Sequence, residues 1–343
     1  MGTTRHWHHL RIAFRHGDHV GIGSGALSIV LQSFSTKMNI MTLSYRPLLN
    51  IFCGLLLLIS TPLMSQDFQL AGFSFTRLPG AEVMNSPLNQ EVEVNEYNFF
   101  LNLPKQLKNE KTVLINGLQY RLVTPIVDND LNLGVDGKNL HLLGYRLTVL
   151  HQLANDWKVL LSLNPTLSST FNTSLEGDDF LMNGALLFIK EKSDRFSYGG
   201  GIAYLSSFGE PRFIPTLQLT VSSEKSKLHV LLPRRITYDH YFGKVTAGLK
   251  AEASGSRYNV NYTRTTSLND SELVDMLVYS RVVLGSSLKY RVGKFIELEA
   301  SGGIAVARRM ELQGDLIEDA NYETANGSFF SFGISIVPYK KSR

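Results

Sequence analysis

From Asp67 to the end of the chain, apolar and polar side chains alternate with a period of two. Trp157, Val159, Leu161 and Leu163 fall on one face of an extended segment, and Lys158, Ser162 and Asn164 on the other. Leu217, Leu219 and Val221 alternate in the same way with Thr216, Gln218 and Thr220. Val245, Ala247, Leu249 and Ala251 alternate with Lys244, Thr246, Lys250 and Glu252, and Tyr258, Val260 and Tyr262 with Arg257, Asn259 and Asn261. Ile296, Leu298 and Ala300 alternate with Glu297, Glu299 and Ser301. Successive side chains of a strand point to opposite faces, so this pattern specifies strands with one apolar and one polar face. No segment keeps a helical stripe for more than a few turns.

About fourteen such runs are predicted, near 67–77, 92–103, 111–123, 140–153, 156–170, 179–191, 195–205, 213–222, 228–238, 242–252, 256–265, 276–291, 294–307 and 327–338. Most exceed the roughly 5–6 residues of a soluble-protein strand. Many reach the roughly 9–11 residues that cross a bilayer at a tilt. The connections alternate as well. Those at 78–91, 124–139, 171–178, 266–275 and 308–326 are long, while Ala154-Asn155, Lys192–Asp194, Ala253–Gly255 and the Gly293 turn are short. Short turns at one rim and long loops at the other are the habit of outer-membrane barrels. The links near 206–212 and 239–241 are shorter than this rule asks. Tyr97, Phe99, Tyr120, Trp157, Phe171, Tyr238, Tyr241, Phe242, Tyr279, Tyr290 and Phe295 lie near strand ends, as an interfacial aromatic girdle would. A soluble sandwich also alternates, but its apolar face must turn inward. The long uninterrupted apolar faces and the girdle favour an all-β chain: a closed antiparallel transmembrane β-barrel of about 12–14 strands.

The only long apolar run, Leu48–Ile59, has 12 residues, against about 20 for a spanning helix. Arg46 precedes it and Ser60-Thr61-Pro62-Leu63-Met64-Ser65 follows. A charged start, an apolar middle and a short polar end make 38–65 a signal peptide, with Met38 or Met41 as the true start and cleavage after Ser65. Residues 1–37, with His6, His8, His9, His16 and His19, read as a mis-assigned upstream start or disordered extension rather than a metal site. The barrel then occupies 66–343. The single cysteine, Cys53, lies inside the leader, which excludes a disulfide framework and a cysteine-based zinc site in the body. Net charge is +4, but residues 1–65 hold Arg5, Arg11, Arg15, Lys37 and Arg46 against Asp18 alone. That leaves 29 basic and 29 acidic residues in 66–343, so no nucleic-acid partner is indicated.

The body resembles a family of bacterial outer-membrane β-barrels typical of Bacteroidota and catalogued as a domain of unknown function. The resemblance rests on Gly117-Leu118-Gln119-Tyr120-Arg121, on Trp157 leading to Asn164-Pro165, and on Gly199–Tyr204 with Phe208-Gly209-Glu210-Pro211 and Pro215. It continues through Leu231-Leu232-Pro233, Tyr238 and Gly248. It implies the barrel fold and a place in the bacterial outer membrane after secretion across the inner membrane. Outer-membrane lipid and the barrel-assembly machinery are then its partners. It brings no catalytic residues. Many such barrels end on an aromatic residue, whereas here Tyr339 is followed by Lys340-Lys341-Ser342-Arg343.

Signals for chemistry are weak. The body's histidines, His141, His151, His229 and His240, accompany no G-x-S-x-G nucleophile motif. Gly199-Gly200-Gly201 lacks the Lys-Ser/Thr of a phosphate loop and sits in a strand pattern, where glycine marks a bend or close packing. Asp128, Asp130 and Asp136 do not have calcium-loop spacing. No cofactor, metal or enzymatic activity is expected. The polar faces say more. Arg146, Lys250, Glu252, Arg257, Lys289, Arg291, Glu297 and Glu299 lie opposite apolar partners. A charge facing lipid costs about 2–4 kcal/mol for Arg or Lys near the midplane, so these eight are the candidate lumen-lining residues. Mixed signs there form ion-pair ladders or line a passage. The leading expectation is a passive channel or transport barrel for small solutes. The alternatives are a structural or interaction barrel with a plugged lumen that binds through its outer loops and, more distantly, a lipid-modifying barrel enzyme.

Overall fold

The computed structural model describes residues 68–84, 90–127, 138–206, 211–265, 271–315 and 321–338. The leader, the His6–His19 cluster, Asp128, Asp130, Asp136 and the Tyr339–Arg343 tail lie outside the described residues. The strands are β1 (Ala71–Glu82), β2 (Glu91–Gln106), β3 (Thr112–Val127), β4 (Leu140–Gln152), β5 (Trp157–Ser169), β6 (Phe180–Ser193), β7 (Phe196–Leu205) and β8 (Arg212–Ser222). They continue as β9 (Ser226–Leu232), β10 (Arg235–Phe242), β11 (Val245–Thr265), β12 (Ser271–Val292), β13 (Ile296–Asp315), β14 (Asn321–Thr324) and β15 (Gly327–Ile336). Each pairs antiparallel with its neighbour, β15 lies between β13 and β1, and the ring closes with 14 strands, β14 standing outside it. Closure pairs the first strand of the ring with the last, the two edges that an open sheet would leave free.

One rim carries the tight turns. Asn155 and Asp156 take left-handed backbone angles there (φ 55° and 57°), and Gly243 and Gly293 do the same in two later turns (φ 66° and 65°). Asn, Asp and Gly are the residues that reach this region at little cost. We call this the turn end, and the opposite rim, with the longer links, the loop end. The glycine triplet of β7 packs tightly against β6. A Cβ at Gly199 would meet the Phe188 carbonyl, and one at Gly201 the Leu186 carbonyl.

Strand lengths set the shape. β9 and β10 have 7 and 8 residues, whereas β11, β12 and β13 have 21, 22 and 20. Beyond Glu252, therefore, β11 has no β10 beside it. It leaves the wall and crosses to β5, where Asn259 pairs parallel with Ser169. The Thr170 amide donates to the Asn259 carbonyl at 3.1 Å and Ser168 Oγ to the Arg257 carbonyl at 2.6 Å. At the loop end β14 pairs with β13, and Thr324 bridges to Val83 just past β1. A smaller ring of β1–β5 and β11–β14 thus closes inside the span of the larger one. Its interior is solid: Leu78, Val94, Val123, Leu140, Tyr258, Leu277, Tyr279, Met310 and Phe329 belong to one buried apolar cluster.

This differs from the sequence reading in several places: the link expected near 239–241 lies within β10, and the loops expected at 266–275 and 308–326 are partly strand, in β12, β13 and β14. The run 228–238 is not one strand but β9, a turn at Pro233-Arg234 and the start of β10. The expected turn at Ala253–Gly255 lies within β11, so 242–252 and 256–265 are largely one strand. The apolar face of Tyr258 and Val260 points into the packed collar rather than outward, because there β11 is no longer part of the outer wall.

Candidate functional site: the barrel interior

The interior has two tiers divided by a neck. At the neck, Glu96 of β2 and Arg281 of β12 meet across the barrel. Arg281 Nε donates to Glu96 Oε1 at 2.5 Å and Nη2 to Oε2 at 2.7 Å, while the Tyr279 hydroxyl donates to Oε1 at 2.8 Å. Both charged side chains are only 8% exposed. A two-pronged guanidinium–carboxylate contact fixes both groups in one plane. Arg308, also buried, donates to the Pro79 and Val92 carbonyls just beyond. Above the neck lies the apolar cluster of the collar.

Below the neck the wall carries opposite charges on strands that are adjacent or one strand apart. Lys250 of β11 lies 3.5 Å from Glu299 of β13 and donates to Ser301 Oγ at 2.7 Å. Lys289 of β12 lies 3.2 Å from Asp239 of β10, and Arg291 of β12 lies 3.7 Å from Glu297 of β13. Arg146 donates to Gln119 at 3.1 Å, and Gln119 donates to Asn98 at 2.9 Å. Between ladder and neck, positive charge gathers. Arg121, Arg146, Arg234 and Arg235 interact electrostatically around Glu252, which faces Arg235 and Arg234. Both Arg234 and Arg235, at the tip of the β9–β10 hairpin, are exposed; protein surrounds Arg234, and Arg235 pairs with Glu252 on the inward face that carries Asp239. The surface they expose is therefore that of the water-accessible interior.

Residues 89–336 match the family described as a domain of unknown function, DUF6268. The chain belongs to that family. No curated protein matches it. Among solved structures, the DUF6268 barrel is similar to the COG4313 outer membrane channel from Pseudomonas putida F1, at 8% identity over 80% of this chain and 99% of that one, TM-score 0.41. It is similar also to a deltaS2 mutant of the TodX monoaromatic hydrocarbon channel, at 10% identity over 79% and 90%, TM-score 0.36. A third likeness is to a double mutant of the Rh. blastica porin, at 8% identity over 78% and 99%, TM-score 0.29.

Within this DUF6268 barrel the structure puts Arg146, Lys250, Glu252, Lys289, Arg291, Glu297 and Glu299 on inward faces of the larger ring. Arg257 lies apart from them, on the crossing segment of β11 and on the face opposite the buried Tyr258. Glu96, Arg121, Arg234, Arg235, Asp239 and Arg281 join the interior without having been singled out from the sequence. Parity does place Asp239 opposite Ile236 and Tyr238. Glu96 shares its face with Val92 and Val94, which a rule of apolar-outside assigns to the exterior. Arg234 and Arg235 were hidden by reading their hairpin as one strand. The histidines have local partners: His141 bonds Tyr120 at 2.8 Å and stacks on Phe171, His151 bonds Thr112 at 2.8 Å, and His229 bonds Thr220 at 3.0 Å. Among the described residues, no group of three or more His, Cys, Asp or Glu is placed to hold a metal.

Proposed function

We propose that the protein is an outer-membrane barrel that moves small solutes and rests in a closed state. The carrying observation is a water-accessible, charged interior inside a wall whose outer surface exposes Leu161, Leu217, Leu249, Leu288, Leu298 and Phe332. An apolar exterior around a polar interior suits a bilayer and not water. In this reading the leader at 38–65 is removed and the mature protein starts near Gln66, which intact-mass measurement of membrane-extracted material tests; retention of His6–His19 would contradict it. The resemblance further implies a Bacteroidota source. The reading includes no enzymatic step.

The arginines near Glu252 support a modest anion preference, because fixed charge at a narrow point sets which ion enters. Planar-bilayer recording is expected to show small, infrequent, anion-favouring openings. A Glu96→Gln/Arg281→Gln double variant should raise the open fraction several-fold, since it loosens the neck without leaving a lone buried charge. Silence from both proteins would favour the second reading, a structural or interaction barrel whose collar is a permanent plug. The solid apolar cluster above the neck is what keeps that reading in play.

A further inference from the structure

The closed collar poses a question about route. At rest, a solute in the turn-end tier meets Glu96–Arg281 and then packed apolar side chains, so the resting axis is closed toward the loop end. The wall itself offers one. β8 pairs with β9 only from Leu217 to Ser222, so Phe213–Thr216 have a strand ladder on the β7 side alone. On the far side of the hairpin, β11 pairs with β10 only up to Glu252 and then turns inward to β5. Above the Pro233-Arg234 turn the hydrogen-bonded wall is therefore interrupted among the described residues. β8 continues four residues past Leu217 to Phe213, so the interruption is about 13 Å tall at 3.3 Å per residue. Arg212 of β8 and Val278, Ser280 and Val282 of β12 line one cavity of about 370 Å³, so these strands face each other where the wall is missing.

The two sides of this gap differ in chemistry. Outside, Phe213 is 69% exposed and Leu217 60%, and the apolar surface of β8 runs on past the hairpin tip. Inside, Arg234 stands at the tip and Arg235 pairs in register with Glu252 of β11, and Arg146 and Arg121 add positive charge to the same cluster. A molecule bridging the two would have an apolar tail and an anionic head.

We propose that the gap above the β9–β10 hairpin is a lateral port, through which a small anionic amphiphile such as a medium-chain carboxylate passes between the turn-end lumen and the surrounding apolar layer. The arginine cluster receives the head group while the tail leaves along Phe213 and Leu217. This rests on the transport reading above and adds to it a direction and a substrate class.

The test uses the full barrel in lipid vesicles with a dansyl-labelled undecanoic acid as probe, and its methyl ester and the matching amine as comparators. The acid is expected to bind at least tenfold more tightly than the ester or amine, and Arg234→Gln/Arg235→Gln to remove that advantage. Pro233→Cys, or Leu232→Cys as a second attachment point, would then carry a bulky polyethylene-glycol maleimide at the port. Ser223→Cys carries the same group at the turn end. Port labelling should slow probe transfer at least tenfold and turn-end labelling should not. Retained heat-modifiable mobility confirms that each variant is folded. Equal binding of acid, ester and amine overturns the substrate class, and transfer indifferent to the port label overturns the lateral route. No transfer of any probe by unlabelled protein overturns the transport reading itself.

Discussion

Glu96→Ala is expected to cost about 3–5 kcal/mol, the range for stranding one member of a buried ion pair. Arg281, only 8% exposed, would be left at the neck without its carboxylate, beneath the apolar cluster. The Tyr279 hydroxyl would lose its acceptor at the same time. The measurement is the temperature at which the folded, fast-migrating band converts to the unfolded one on a gel, and the variant should convert well below the parent. Glu96→Leu with Arg281→Met should recover most of the loss, because replacing both partners by apolar groups of similar size is often neutral. A single variant as stable as the parent would mean that water reaches the neck.

Leu161→Arg and Leu298→Arg give the second large effect. Both leucines face outward, at 40% and 43% exposed, on the apolar surface assigned to lipid. An arginine there should cost about 2–4 kcal/mol near the midplane. Folding into vesicles, followed by the same gel shift, should fall sharply for either. Glu299→Gln removes an inward charge that is 30% exposed and paired with Lys250 at 3.5 Å, and should leave folding nearly unchanged. Similar losses for all three would show that the outward surface does not meet lipid.

The alternation of the sequence was enough to read the barrel, and the inward faces of β4, β5, β8 and the first half of β11 follow directly from it. What it concealed was a change of phase. In β2, Val92 and Val94 are apolar at even positions, and Tyr97, Phe99 and Leu101 at odd ones. In β11, Val245–Ala251 is apolar at odd positions, and Tyr258 and Val260 at even ones. A strand need not break for this to happen. Side chains keep alternating, but the apolar side changes from outside to inside where a strand enters the packed collar. Read as a break, the shift splits β11 into two strands. The same reading joins β9 to β10, and the two errors offset each other in the strand count. The Glu96–Arg281 contact was out of reach for a different reason: its partners are 185 positions apart and on strands that are not neighbours in the wall.

The joint between Ser169 and Asn259 also has a bearing on how the chain assembles. Most contacts in the wall join consecutive strands and need only short loops to be closed. Two strand pairings that depart from this are the seam from Ala71 to Ile336 and the joint from β5 to β11. Loop-closure entropy must be met before distant contacts repay it, so both belong to the late and slow part of folding. They also differ in what must come first. The seam waits for the last strand, whereas β11 can reach β5 once β6–β10 are laid down. A nascent chain that has passed residue 265 can already tie off its middle as a loop of strands, before its two ends have met.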